Sequence, residues 1–546
     1  MLGRLLKSKS STVTAAAVLL GVASLASRAV GVLRDRMLSG TFGAGAELDA
    51  YYAAFRIPDL VYNLFVLGAI TAGFIPVLTR VLTRESHEEK LNESASRLTS
   101  LLLTVLGALL VVAAAAGAAA APWLTRYIAP GFGGHVRELT VSLTRVMFLS
   151  PVLLGVSGVL GGVLQVRRRF LTYALAPILY NFGIIFGIVF LVPRLGVAGA
   201  AWGVVFGAAM HMAVQLLACL ALGFRYRPIW DWRDAGLRDI WRLMVPRTAG
   251  LAVSQLNLAI LTGVASTVGA GGIAVFNLAN NLQSFPIGII GVSFAVAAFP
   301  LISELAAKDD RTGFVDAYAK TVRSVMFLII PATVAFLLLR AQIVRVILGT
   351  GRFDWSDTIA TADALAYFTL SLFAQALLPL VTRAFFAYHD VKTPLYAGIV
   401  AVVLERLLAA VLVARGMGTP GLALAFSVGS VFNLVVLWAF LRRRTGNLGE
   451  AAIMRPLAVM CVAGVAMALV IQLGKTVLGA VVNMQTFVGI FTQGAVAGAL
   501  GIAAYIALAL LLGSEDARRI VALYRRRGAP GPRSELGQEG EAIVAE

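Results

Sequence analysis

The chain has 546 residues, of which 59% are hydrophobic and only 14% are charged. Soluble domains contain about 45–50% apolar and about 25% charged residues, so this composition excludes a soluble enzyme, a disordered scaffold and a secreted disulfide-rich protein. Lys and Arg outnumber Asp and Glu by 46 to 28, which gives a net charge of +18. In a membrane protein, loop cations that face the cytoplasm explain such an excess, and no nucleic-acid partner is expected.

Apolar runs divide the chain into membrane spans. A transmembrane helix needs about 20 predominantly apolar residues, and about fourteen such runs follow one another. The first also resembles a secretory signal, but we expect it to be retained as a helix because of the charged residues in the stretch 28–36 at its end. The predicted spans lie near residues 12–33, 48–78, 99–123, 140–164, 172–193, 197–223, 243–266, 272–302, 324–340, 358–386, 394–414, 419–441, 454–473 and 487–513.

Basic residues concentrate in alternate loops. The runs at residues 167–169 and 442–444 fall on the same side as the N-terminus, whereas the opposite loops hold only scattered cations. Loops rich in Lys and Arg stay in the cytoplasm, so both termini are expected there. From residue 514 the chain is polar and contains Gly and Pro, which predicts a disordered cytoplasmic tail.

Spans 1–6 resemble spans 7–12 at an offset of roughly 220 residues, the signature of a parallel internal repeat. For example, Phe74-Ile75-Pro76 ends span 2 as Phe299-Pro300 ends span 8. We predict an all-α polytopic protein with an N-lobe of six helices at residues 1–225 and a C-lobe of six at 226–445. A two-helix hairpin at 446–513 and the tail at 514–546 follow. Transporters of this design bind substrate between the lobes, although some channels and membrane enzymes are duplicated too.

Several charged residues fall where lipid is expected. An ionisable residue at the centre of a span costs about 2.5–3.5 kcal/mol, so it usually faces a cavity or a partner. Arg28, Arg34 and Asp35 lie near the end of span 1, and Asp49 and Arg56 lie in span 2. Arginine suits phosphate because its planar guanidinium donates two parallel hydrogen bonds and stays charged. These residues therefore predict a cavity for an anionic lipid headgroup, unless those of span 1 only mark an exposed helix end.

The arginines of span 1 are six residues apart. Arg28 and Arg34 lie on different helix faces unless the helix bends, which Gly31 could permit.

Polar residues of later spans are the other candidates. Glu405 lies in the middle of span 11, where it could bind a coupling cation or a proton, or could pair with an arginine. Asn181 and Asn281 could line a cavity or bridge helices. No phosphate-binding loop and no metal-binding spacing occurs in the sequence, so we expect neither a cofactor nor a metal. Transport would then depend on Na⁺, H⁺ or the membrane potential, and the protein is not expected to be an enzyme.

At these residues the sequence resembles the MurJ (MviN) family of lipid II flippases, within the superfamily of multidrug, oligosaccharidyl-lipid and polysaccharide exporters. The resemblance covers spans 1–12 and continues in layout to span 14. The resemblance rests on the segments Ser27-Arg28-Ala29-Val30-Gly31-Val32-Leu33-Arg34-Asp35, Phe42-Gly43-Ala44-Gly45, Phe55-Arg56-Ile57-Pro58-Asp59-Leu60, Ala129-Pro130-Gly131-Phe132, Ala176-Pro177-Ile178-Leu179-Tyr180-Asn181 and Asp390-Val391-Lys392-Thr393-Pro394.

The resemblance implies that the protein moves lipid II, an undecaprenyl-diphosphate-linked glycan, across the bacterial plasma membrane by alternating access. It implies substrate contacts for residues matching the family's functional positions, namely Arg28, Arg34, Asp35, Asp49 and Asn181. Arg56 and Asn281 are added as substrate candidates and Glu405 as the coupling candidate.

Two departures from the family pattern keep alternatives open. The family commonly has arginines where Tyr62 and Asn281 stand here. The alternatives are a flippase for another polyprenyl-diphosphate glycan of the O-antigen or capsule type, a cation-coupled drug exporter, and a membrane-embedded glycosyltransferase. We expect a monomer that contacts membrane lipids and cell-wall synthesis proteins.

Overall fold

A computed structural model describes residues 13–67, 69–84, 93–519 and residue 522, and every regular element in these ranges is helical. The helices of the first part of the chain are α1 (Val13–Phe42), α2 (Ala46–Val61), α3 (Ile75–Arg84), α4 (Glu93–Ile128), α5 (Gly134–Met147), α6 (Leu149–Val166), α7 (Phe170–Phe186), α8 (Val192–Leu195) and α9 (Val197–Ala221). Those of the rest are α10 (Ala235–Ala265), α11 (Gly272–Pro286), α12 (Ser293–Ala307), α13 (Arg311–Leu338), α14 (Arg340–Leu348), α15 (Trp355–Thr369), α16 (Leu372–Ala387), α17 (Lys392–Ala414), α18 (Gly418–Thr445), α19 (Glu450–Val481) and α20 (Phe487–Leu511). Short π-helical segments occur at Tyr62–Leu67, Ala69–Phe74, Gly187–Leu191 and Ile287–Val292.

The helices reproduce the predicted order of spans. In the described part of the chain, ten helices are long and apolar enough to cross a membrane, and the pair α15 and α16, bent by 47°, makes eleven. The three remaining predicted spans fall on α1, on α2 with α3, and on α10. The prediction of an all-α, multi-pass membrane protein with about fourteen spans is therefore confirmed.

The first helix differs from its predicted form in length. It continues past the predicted end at residue 33 to Phe42, and it has no break at Gly31. No break in the helix therefore brings Arg28 and Arg34 onto one face. Their Cα atoms are separated by about 9 Å along the axis and by about 120° around it, because a helix rises 1.5 Å and turns 100° per residue.

Equivalent spans of the two halves share an irregularity. Pro58 lies in α2 just before the π-helical segment Tyr62–Leu67, and Pro286 ends α11 just before the segment Ile287–Val292. Proline removes a backbone donor and so favours such a local change in winding. This correspondence is what an internal repeat predicts.

Two compact units make up the chain. The first comprises residues 1–284, 343–371 and 391–433, and the second comprises residues 285–342, 372–390 and 434–546. A buried apolar cluster that includes Phe74, Leu102, Leu160 and Leu164 forms a core of the first unit. The predicted lobes at 1–225 and 226–445 and the hairpin at 446–513 stay a prediction.

Within the first unit, α7 and the π-helical segment that follows it pack against α9 through glycines. A Cβ added to Gly183 would overlap the backbone of Gly207, and one added to Gly187 would overlap that of Gly203. Glycines spaced four residues apart on both sides let two backbones approach closely, which is the main way in which membrane helices gain packing energy. This seam fixes the position of α7, which carries Asn181.

In the second unit, a buried polar contact joins α14 to α20. The amide of Gln342 donates to Oε1 of Gln493 at 2.8 Å, and Gln493 in turn donates to the Lys475 carbonyl of α19 at 2.8 Å. The predicted tail begins here with a helical turn at 515–519, where Asp516 pairs with Arg323 at 3.2 Å. Residues 520, 521 and 523–546 of that tail lie outside the described residues.

Exposed aromatic rings lie at opposite ends of α4. Trp123 and Tyr127 lie near its C-terminal end, with ring centroids 4.6 Å apart. Trp230 and Trp232, 5.5 Å apart, lie in the loop after α9, which also supplies Arg227, the ion-pair partner of Glu93 at the N-terminal end of α4. Amphipathic rings of this kind favour the two membrane–water interfaces, which supports a membrane crossing by α4.

Candidate functional site

A hydrogen-bonded cluster joins α1, α7 and α11. Arg34 donates from Nε and Nη2 to Oδ1 of Asp35 at 3.0 and 2.8 Å, and from Nη1 to Oδ1 of Asn181 at 2.9 Å. Asn281 donates from Nδ2 to Oδ2 of Asp35 at 3.1 Å. Four of the residues predicted from the sequence therefore lie together, and the cation and the carboxylate balance each other.

The geometry of Arg34 leaves it able to bind an anion. Its guanidinium carries five N–H groups, and the bonds to Asp35 and Asn181 use three of them. The other two N–H groups have no partner in the described part of the chain. The side chain is 24% exposed, so an anion can reach it without unfolding the helices.

Arg28 is half-buried and lies on another face of the continuous α1. Gly31 faces the cluster as well, since a Cβ there would lie 4.0 Å from Oδ1 of Asn181. The structure thus places Gly31 against α7, instead of making it a hinge between the two arginines.

Arg56 belongs to a second set of contacts. Its guanidinium donates from Nε to the hydroxyl of Thr262 on α10 at 2.9 Å, and from Nη2 to Oδ1 of Asn277 on α11. Asn277 is itself fixed by donating to the carbonyl of Ile273 at 2.8 Å. Arg56 therefore bridges three helices. Thr262 and Asn277 were not among the predicted site residues, because an uncharged polar residue in a span is a weak signal of a site.

Asp49 binds backbone N–H groups at the start of a helix and pairs with no arginine of the described ranges. Its carboxylate accepts from the backbone N–H of Gly271 at 2.6 Å and of Ala274 at 2.7 Å, and the residue is only 1% exposed. These N–H groups belong to the start of α11, so Asp49 caps that helix from another part of the chain. Gly271 has φ +87, and a Cβ there would overlap the Ala44 carbonyl, so this approach requires glycine.

The end of α1 is tied to the C-terminal end of α14. Arg36 donates to the carbonyls of Val346 and Ile347 at 2.6 and 3.1 Å, which places a cation at the negative end of α14. Nearby, the carboxylate of Asp357 accepts from the Ala44 backbone at 2.9 Å. These ties were not predicted, because nothing in the sequence pairs segments some 310 residues apart.

Glu405 on α17 lies 4% exposed, and its Oε2 accepts from Nδ2 of Asn257 on α10 at 3.1 Å. Glu405 Oε1 and Asn257 Oδ1 are buried and have no hydrogen-bond partner among the described residues. No arginine pairs with Glu405 there, so the pairing alternative is not supported. Two buried, unsatisfied oxygens on hydrogen-bonded neighbours are suited to a cation or a proton. In the described ranges, no group of three or more His, Cys, Asp or Glu side chains could hold a metal ion.

Tyr62 and Asn281, the two positions where the family commonly has arginine, make different contacts. Asn281 bonds to Asp35 and so takes part in the cluster. Tyr62 opens the first π-helical segment and packs against the apolar core of the first unit.

Comparisons with known proteins agree with one another. The family "Lipid II flippase MurJ" matches residues 38–492. The lipid II flippase MurJ of Burkholderia cenocepacia is 30% identical over 429 residues, covering 77% of this chain and 82% of the relative. A probable lipid II flippase MurJ of Vibrio cholerae is 29% identical over 508 residues, covering 91% and 95%.

Solved structures show the same fold. A lipid II flippase MurJ in an inward closed conformation superposes with a TM-score of 0.74 at 20% identity, covering 92% of this chain and all of that one. An inward-facing multidrug resistance transporter of the MATE family, in the MOP superfamily, gives a TM-score of 0.63 at 18% identity, covering 78% and 96%. With the family match across most of its length, the chain belongs to the lipid II flippase MurJ family.

Proposed function

We propose that this protein moves lipid II from the inner to the outer leaflet of a bacterial plasma membrane. The family match supports this function, and the cluster of Arg34, Asp35, Asn181 and Asn281 is the observation that carries it. The protein acts as a transporter and not as an enzyme, in keeping with the flippase names of its relatives.

The diphosphate of the cargo binds at Arg34. Before cargo arrives, Asp35 neutralises the guanidinium, so the empty site holds no net charge in the membrane. An incoming diphosphate offers pairs of charged oxygens that can accept two parallel N–H bonds, and it takes the two remaining N–H groups of Arg34 together with the amide donors of Asn181 and Asn281. Asp35 then keeps Arg34 oriented.

Energy comes from an ion or from the membrane potential. Glu405 and Asn257 supply oxygens for a cation, or Glu405 takes up a proton. Filling and emptying this pair as the protein alternates between its two states would couple transport to a gradient, because an ion can shift an equilibrium only by its differential affinity for the two states.

Replacement of the native flippase tests the function. A bacterium depleted of its own lipid II flippase is given this chain, and lipid II at the outer leaflet is measured by an externally added enzyme that cleaves or labels it. We expect outer-leaflet lipid II and growth to return. Correctly inserted protein that restores neither would contradict the lipid II assignment.

The missing arginines at Tyr62 and Asn281 favour one second candidate, a flippase for another polyprenyl-diphosphate glycan. The same cells, carrying an O-antigen or capsule pathway without its flippase, distinguish the two: rescue of that glycan and not of lipid II would select the alternative. In either case the protein lies in the inner membrane with both termini in the cytoplasm. A monomeric state and contacts with cell-wall synthesis proteins stay predictions.

A further inference from the structure

A strained turn of three arginines follows α6. The N–H of Arg167 donates to the Val163 carbonyl at 3.0 Å and that of Arg169 to the Leu164 carbonyl at 2.8 Å, the pattern that closes a helix. Arg168 between them has φ 55, a conformation usually left to glycine and one that costs an arginine about 1–2 kcal/mol. The turn points the next side chain, Arg169, into the protein, where it is buried.

Arg169 is a buried cation with unsatisfied donors. The residue is 8% exposed, and its Nε and Nη1 are buried with no hydrogen-bond partner in the part of the chain that the structure describes. A buried charge without a partner is strongly destabilising, several kcal/mol in typical cases. Such a cation is tolerated when an anion from outside the chain pairs with it.

The second half of the chain shows the same turn with a partner built in. After α16, His389 has φ 57, and Asp390 stands where Arg169 stands in the first half. Asp390 pairs with Arg444 at 3.6 Å, and the Arg444 guanidinium lies 4.7 Å from the centre of the Tyr388 ring. The first half reverses the charge at this position, and none of the described residues supplies a carboxylate to Arg169, which leaves a place for an anion from outside the chain.

The start of α7 adds further donors. The first helical bond of α7 runs from Tyr173 to the Arg169 carbonyl, which leaves the N–H groups of residues 170–172 without helical partners. The positive end of the helix dipole lies at the same place and favours an anion there. Spans Gly134–Val166 and Phe170–Leu195 meet at this turn, so it lies at the depth of lipid headgroups on the side predicted to be cytoplasmic.

We propose that residues 167–169 and the first turn of α7 form a binding site for the phosphate group of a membrane lipid in the cytoplasmic leaflet. The site is separate from the cluster at Arg34. Both an anionic phospholipid and a polyprenyl diphosphate carry the required phosphate.

Binding to the purified full-length chain in detergent tests the proposal. Phosphatidylglycerol, undecaprenyl diphosphate and inorganic pyrophosphate are titrated separately, and dissociation constants are measured by native mass spectrometry. Arg169→Gln should weaken lipid binding about tenfold or more, since a charge-assisted hydrogen bond contributes about 1.5–3 kcal/mol. The matched control is Arg233→Gln, at an exposed arginine of another loop predicted to be cytoplasmic. This variant should change the lipid dissociation constant less than about twofold.

Thermal unfolding without added lipid separates binding from misfolding. There, Arg169→Gln should unfold at the wild-type temperature or above it, because the change removes an unpaired buried charge. Equal lipid affinity in wild type and Arg169→Gln, or a lower unfolding temperature of the lipid-free variant, would overturn the proposal.

The three probes identify the source of the phosphate. Similar binding of both lipids supports a general phospholipid site, and binding of undecaprenyl diphosphate alone supports first contact with a polyprenyl cargo. Pyrophosphate binding as tightly as either lipid would overturn the assignment to a membrane lipid.

Discussion

Single residues decide whether the proposed site distinguishes phosphate from other anions. Arg34 makes three directed hydrogen bonds from one rigid group. A lysine at this position keeps the charge but has neither the planar fork nor enough reach to satisfy Asp35 and Asn181 together. Specificity at this site thus depends on geometry more than on charge.

Arg34→Lys should lower lipid II export at least about tenfold with protein abundance unchanged, because the bidentate interaction contributes about 1.5–3 kcal/mol. Outer-leaflet lipid II in flippase-depleted cells is the measurement. Arg415→Lys, at an exposed position after α17, is the control and should retain full activity. Wild-type export by Arg34→Lys would show that charge alone suffices.

Glu405 gives a second prediction at this scale. Glu405→Gln keeps the shape and the contact with Asn257 but removes the titratable, negatively charged oxygen. Export should then lose its response to an imposed Na⁺ or H⁺ gradient in proteoliposomes, whereas Glu304→Gln, at an exposed residue paired with Lys308, should keep it. An unchanged gradient response in Glu405→Gln would remove Glu405 from coupling.

At the scale of helices, the positions of the candidate residues depend on how closely backbones approach. The glycine seam holds α7 against α9, and α7 carries both Asn181 and the start of the Arg169 turn. Loss of the seam would therefore displace polar groups at both ends of α7.

Gly207→Ala should destabilise the protein by about 1–3 kcal/mol, since its Cβ would overlap the Tyr180 carbonyl and overpacking against a backbone cannot be relieved by a side-chain rotation. Gly107→Ala is the matched control, because no atom lies within 4 Å of its added Cβ and α4 is helical there. That control should be neutral or stabilising by up to about 1 kcal/mol. Thermal unfolding in detergent measures both, and equal unfolding temperatures would contradict the packing account.

At the scale of the whole molecule, most of the architecture was readable from the sequence, because a bilayer admits few alternatives to a helix of about 20 residues. Span order and the all-α class were predicted correctly, and the four clustered site residues were named in advance. The hydrogen-bond partners of Arg56, Asp49 and Glu405 were not predicted. They are Asn, Thr and backbone N–H groups whose pairing depends on which helices become neighbours.

Membrane orientation gives a prediction at the same scale. A cysteine at Gln485, in the exposed turn between α19 and α20, should react with a membrane-impermeant maleimide added to whole cells. A cysteine at Arg443, in the basic run that ends α18, should react only after permeabilisation. The native cysteines give the background, since Cys219 is buried and Cys461 lies within α19. The reverse pattern would place the termini outside the cytoplasm.

The cap that Asp49 provides for α11 bears on how the chain is made. Asp49 is synthesised 222 residues before Gly271, so α2 enters the membrane while the two N–H groups that satisfy its carboxylate do not yet exist. A nascent chain cannot leave such a group bare in lipid, and must hold it near water or against the translocation machinery until α11 emerges. Biogenesis of this protein is therefore constrained in order: its second span reaches its final position only after its eighth has been synthesised.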